Sequence, residues 1–189
     1  MARAGLTAEK LVTAAARMAD EIGFEQVTIS ALARAFDVQV ASLYSHLESS
    51  NDLKTRIALL ALADLAEKAS EAVAGRAGKQ ALVALANVHR DFARKHPGLF
   101  AATQFRLDAE TAAGSAGVKL AQLMRAVLRG YELGEPDQTH AVRILGSAFL
   151  GFTTLESAGS FSHSEPESEQ SWVRMLDALD EMLRHWPRA

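Results

Sequence analysis

The chain contains no cysteine, which excludes disulfide bridges and thiolate-ligated zinc. Proline is scarce, with four in 189 residues, so few positions forbid a helix from continuing. No apolar stretch approaches the roughly 18 residues that a membrane-spanning helix requires. The sequence does not open on a charged start followed by an apolar run and a small-residue cleavage site, so no membrane partner and a cytoplasmic location are expected. A basic excess is also missing: 20 Lys and Arg stand against 23 Asp and Glu, for a formal net charge of −3 and a pI near 6.1. Without a global basic field, any surface for a polyanion has to be local. Nothing in the pattern assembles a nucleophile, a base and an oxyanion site. The six histidines never form the paired Glu-x-x-His spacing of a di-iron bundle. The expectation is a protein that is not an enzyme and uses neither cofactor nor metal.

What is present is a chain rich in alanine and leucine, long enough for one large domain or two small ones. Its patterning predicts an all-α fold of about nine helices. Thr7 caps a first helix to Ile22, with Leu11, Ala15, Met18 and Ile22 at helical spacing, and Gly23 stops it. Phe24 and Val27 anchor a connector. Thr28 then caps a second helix that buries Ile29, Leu32, Ala33 and Phe36. Asp37 tolerates left-handed backbone angles and can turn the chain without a glycine. A third helix, Val40 to Leu47, is held down by Leu43 and Leu47 and leaves Val40, Ser42, Tyr44, Ser45 and His46 free. Two helices meeting at a tight turn, with the second offered outward, follow the logic of a helix-turn-helix whose second helix enters the DNA major groove.

Residues 1–51 are therefore read as a DNA-binding head and residues 52–189 as a body. A long helix from Asp52 to about Ala74 carries two successive apolar stripes, one with Leu53 and Ile57, the other with Leu65 and Ala69, as expected of a helix serving two cores. Next come a helix from Lys79 to Lys95, a bend at His96-Pro97-Gly98-Leu99-Phe100 leading into a short helix to about Leu107, and a small-residue connector from Thr111 to Gly117. Amphipathic helices are predicted from Val118 to Tyr131, from Gln138 to Gly159 and over the final stripe from Trp172 to Trp186. The last two, with small residues alternating with large apolar ones, suit a four-helix interface with a second copy.

The order and spacing of Leu11 to Phe24, Thr28-Ile29, Leu32-Ala33, Val38, Leu43-Tyr44-Ser45-His46-Leu47 and Leu53 resemble the head of the tetracycline-repressor (TetR) family of bacterial transcription regulators. The His96 to Phe100 bend and the Gly-Phe-x-x-Leu-Glu-x-x-Gly run from Gly151 to Gly159 resemble the subgroup with this type of ligand domain. The chain departs from the family pattern with Asp37 where Gly is frequent, Gln39 where Ser is frequent, and Ser50 where a phosphate-contacting Lys is common. The resemblance implies a homodimeric regulator of double-stranded DNA, released from a pseudo-palindromic operator by a small apolar or aromatic effector.

By the same resemblance, Thr28, Tyr44, His46 and Lys54 touch phosphates, while Gln39, Val40 and Ser42 face base edges. Gln can pair bidentately with adenine and Val can meet a thymine methyl. Residues 1–56 carry six Lys and Arg, counting Arg3, against seven Asp and Glu, so few ionic contacts and a modest salt dependence are expected. An effector pocket is expected among His89, Phe92, Phe100, Gln104, Phe105, Met124, Phe149 and Phe152. Ile144, Gly151, Leu155, Trp172, Leu176, Leu179 and Leu183 are the expected dimer face. Two other classes fit parts of the pattern. One is a helical small-molecule carrier or enzyme with a vestigial head, and the other is a DNA-binding activator or architectural protein without a ligand.

Overall fold

The Thr7 hydroxyl accepts the Lys10 backbone N–H at 3.2 Å and starts the first helix, and Gly23, at φ +90°, ends it. The structure, a computed structural model, describes residues 6–187; Arg3 lies outside them. The described residues form ten α-helices and no strand: α1 Ala8–Ile22, α2 Ile29–Ala35, α3 Val40–Leu43, α4 Ser50–Val73, α5 Gly78–Lys95, α6 Pro97–Ala102, α7 Ala109–Gly114, α8 Gly117–Leu128, α9 Asp137–Ser157 and α10 Ser168–Arg184. Short 3₁₀ turns follow α1 and α8.

Contacts divide the chain into two compact units, Met1–Asp64 with Lys95–Ser115, and Leu65–Arg94 with Ala116–Ala189. These units do not coincide with the division expected at residue 51. The first takes in α6 and α7, and its boundary with the second falls inside α4.

In the first unit α1 buries Leu11, Val12, Ala15, Ala16 and Ala19. Ile22 is exposed, a correction to the predicted stripe, because the alanine side of α1 is the one that receives α6. Gly98 of α6 lies so close that a Cβ built on it would stand 1.9 Å from the Ala19 carbonyl oxygen. α6 has no side-chain cap of its own. Asp20 of α1 supplies one, accepting the Leu99 N–H at 3.0 Å through Oδ1 and meeting His96 Nδ1 at 2.8 Å through Oδ2. The helix after the bend ends at Ala102 rather than near Leu107. Ala109–Gly114 form α7, which overlaps the connector expected from Thr111 to Gly117, because Asp108 accepts the Thr111 N–H at 2.9 Å and caps the helix.

The second unit is built from the C-terminal part of α4 together with α5, α8, α9 and α10. Its core joins Leu82 and Leu85 of α5, Met124 and Leu128 of α8, Leu145 and Phe149 of α9, and Trp172, Leu176 and Leu183 of α10. Polar groups in this core are paired. Trp172 Nε1 donates to Asn87 Oδ1 at 2.8 Å, and the Tyr131 hydroxyl donates to Asp180 Oδ1 at 2.7 Å. No helix among the described residues is long and apolar enough to cross a membrane.

Candidate nucleic-acid interface

α2 begins at Thr28, whose hydroxyl accepts the Ala31 N–H at 3.0 Å. It ends in a Schellman arrangement: Asp37 sits at φ +51°, its N–H donates to the Arg34 carbonyl at 3.2 Å, and the Val38 N–H donates to the Ala33 carbonyl at 3.0 Å. Such an ending satisfies the last helical carbonyls and redirects the chain within two residues. The residue at its left-handed position is the aspartate anticipated from its type.

α3 covers a single turn, Val40–Leu43, and the backbone continues in tight turns through His46. The expected helix to Leu47 is thus cut short. The Ser45 hydroxyl donates to the Ser42 carbonyl at 2.8 Å, a local bond that competes with helix continuation. Leu43 and Leu47 are fully buried and fix this turn from behind. Gln39, Val40, Ser42 and Tyr44 are exposed, Tyr44 by 54%, and His46 is half-buried. Phe36, expected in the core, is half-buried at the C-cap of α2. Arg34, Asp37, Gln39 and Ser42 together rim a surface hollow beside the turn.

The two cations that follow are both engaged within the chain. Lys54 of α4 pairs with Glu25 and lies 5.1 Å from the centroid of the Phe24 ring. Arg56 donates to Asp52 at 2.7 Å. Asp52 also accepts the Glu48 N–H, while the Ser49 hydroxyl accepts the Asp52 N–H, and together they set the start of α4. Glu25 was not singled out in the sequence. It stands 29 residues from Lys54, and no local pattern joins them.

The residues expected to line an effector pocket fall into two groups. In the second unit, the His89 ring lies 5.7 Å from Phe149, Phe149 lies 6.2 Å from Trp172, and Phe152 lies 5.0 Å from Trp172. Met124 and Phe149 belong to the same core, and Phe92 is buried under Lys68. His89 Nδ1 donates to the Leu85 carbonyl at 2.8 Å, and burial pushes the imidazole pKa down, so the ring is held neutral. In the first unit, Phe100 is buried, Phe105 packs edge-on against Phe24 of the head at 5.7 Å, and Gln104 is exposed, donating to the Thr103 hydroxyl. Phe105 thus packs against Phe24, half-buried, and Gln104 is exposed.

The expected dimer face also needs correction. Trp172, at 1% exposure, and Leu176, Leu179 and Leu183 are consumed by the chain's own core. Ile144 and Leu155 of α9 and Val173 of α10 are exposed, and Gly151 is half-buried.

One cluster went unnoticed in the sequence. Arg90, 3% exposed, donates twice to Glu156 at 2.6 and 2.9 Å and once to Glu169 at 2.7 Å, with its guanidinium 5.0 Å from Trp172 and 5.6 Å from Phe152. Glu156 stood out as an acid in an apolar run, but its partner lies 66 residues away.

Residues 82–179 match the family model described as "Tetracyclin repressor-like, C-terminal domain". The chain is 31% identical over 164 residues to the uncharacterized HTH-type transcriptional regulator YobS of Bacillus subtilis (strain 168), covering 86% of this chain and 85% of the relative. It is 32% identical over 160 residues to the uncharacterized HTH-type transcriptional regulator Rv0681 of Mycobacterium tuberculosis (strain ATCC 25618 / H37Rv), covering 82% of this chain and 72% of the relative. Its fold is similar to that of BioQ solved with its natural double-stranded DNA operator, with a TM-score of 0.71 at 22% identity over 95% of this chain and 99% of that one.

Proposed function

Because the chain belongs to the tetracycline-repressor family of DNA-binding transcriptional regulators, we propose that it is a cytoplasmic, homodimeric repressor released from a pseudo-palindromic operator by a small apolar or aromatic effector. The observation that carries the reading is the one-turn α3. Its apolar back, Leu43 and Leu47, is fully buried, and its front offers Gln39, Val40, Ser42 and Tyr44 to solvent. Gln39 and Val40 read base edges by amide and methyl contacts, with Ser42 beside them. Thr28, Tyr44, His46 and Lys54 meet the phosphate backbone. Two such turns related by a two-fold axis enter major grooves about 34–36 Å apart, or a multiple of that.

The effector reading draws support from His89. With Nδ1–H spent on the Leu85 carbonyl, the neutral ring keeps Nε2 as an acceptor beside Phe149, a polar group of the kind that orients an otherwise apolar ligand. Release is a population shift carried by α4, whose two halves belong to different units. Its size is bounded by the effector's differential affinity for the two states.

Operator affinity of Gln39→Ala and Tyr44→Ala, measured by mobility shift, tests the assignment. Each substitution is expected to weaken binding by roughly 5- to 150-fold, the equivalent of about 1–3 kcal/mol per lost contact, with the oligomeric state unchanged. Wild-type affinity in both variants would refute it.

A further inference from the structure

Lys54 is the first cation of α4, and its ammonium is already occupied. Glu25, in the 3₁₀ turn Phe24–Gln26, pairs with it. The two sides of this pair are unequal. The Glu25 side chain is 76% exposed and that of Lys54 19%. Lys54 also lies over the ring of Phe24, which is buried and backed edge-on by Phe105. The lysine is therefore held in place by its aromatic support whether or not the carboxylate is present. What Glu25 adds is an exposed negative charge three residues before Thr28, the cap of α2.

We propose that Glu25 masks Lys54 and sets the operator affinity below what the head's cations would otherwise deliver. The inference rests on the reading that Lys54 meets a DNA phosphate. A phosphate approaching Lys54 encounters a pair of zero net charge, so it either displaces Glu25 or binds against its repulsion. Glu25 is the exposed member of the pair and makes its contact at the surface, where an ion pair contributes little to folding, so removing the acid leaves the head intact. The gain appears instead in DNA binding, where each newly neutralised phosphate releases counterions.

The test is a salt titration of fluorescence anisotropy. The probe is a labelled duplex selected in vitro from a randomised pool by the wild-type protein. Glu25→Gln, Lys54→Gln and the double variant are compared with wild type. Glu25→Gln is expected to bind roughly 3- to 10-fold tighter at about 50 mM salt, with a log–log salt slope steeper by about one per subunit. The gain should vanish in the double variant. If Lys54→Gln weakens binding but Glu25→Gln leaves it unchanged, the acid does not mask the lysine and the proposal fails. If Glu25→Gln weakens binding, the acid positions the lysine, and the proposal fails with its sign reversed. If Lys54→Gln has no effect, the phosphate assignment of Lys54 is wrong, and the masking proposal falls with it.

Discussion

Arg90 joins three helices through one guanidinium, meeting Glu156 of α9 and Glu169 of α10 from its own position on α5. Such a group is costly to bury unless every donor is matched. Here the bidentate fork to Glu156 and the flanking rings of Trp172 and Phe152 supply the match. The hydrogen bonds from Arg90, foremost, hold the Glu156 carboxyl down to about 2 against an ordinary value of 4.5. A carboxylate whose folded pKa is depressed contributes stability above its unfolded pKa and loses it as pH falls through the folded one. The unfolding free energy should therefore decline between about pH 5 and pH 2, by on the order of 2–3 kcal/mol from this residue. Glu156→Gln should lower stability at neutral pH by about 3 kcal/mol and flatten that decline. Urea unfolding at several pH values checks both, and an unaltered acid decline in the variant would remove Glu156 from the account.

At the scale of helices, the contact of α6 with α1 has no slack. With a Cβ at residue 98 placed 1.9 Å from the Ala19 oxygen, Gly98→Ala has to push α6 away from α1 and loosen the bonds that Asp20 makes to Leu99 and His96. The expected loss is about 1–3 kcal/mol or more, as for other overpacked contacts, read from denaturant unfolding. Wild-type stability in this variant would mean that the helices separate without cost. This level also shows how far local pattern reaches. Thr7 and Thr28 were legible as caps because the residue and its target lie three positions apart, and Asp37 was legible because few residues accept its backbone angles. Asp108 offers the same local signal, obscured by the small residues that follow it. The cap of α6 was not legible at all, since Asp20 lies 79 positions from the N–H it accepts. α3 is shorter than its pattern suggests because Leu43 and Leu47 keep helical spacing although the backbone between them turns.

For the whole molecule, the all-helical class and the helix-turn-helix geometry around Asp37 were legible, while the ownership of the apolar faces was not. A stripe such as Trp172, Leu176, Leu179 and Leu183 states that it will be covered, not by whom, and here the chain covers it itself. What remains for the proposed second copy is the side of α9 with Ile144, Gly151 and Leu155, together with Val173 of α10. Gly151 lies mid-helix on this face, and a Cβ there would meet nothing within 4 Å outside its own helical turn. It costs roughly 1 kcal/mol relative to alanine without an intrachain reason, which favours close approach by another molecule. Gly151→Leu is accordingly expected to shift sedimentation from dimer toward monomer at micromolar concentration. A wild-type dimer in that variant would move the interface elsewhere.

The placement of Lys95–Ser115 in the same compact unit as α2 and α3 bears on how such regulators can be recombined. A chimera cut after residue 51 would carry away a reading turn while leaving behind Gly98, which seats against Ala19, and Phe105, which props Phe24. To transplant operator choice from this chain with its stability, the graft has to be discontinuous, taking residues 1–64 together with 95–115.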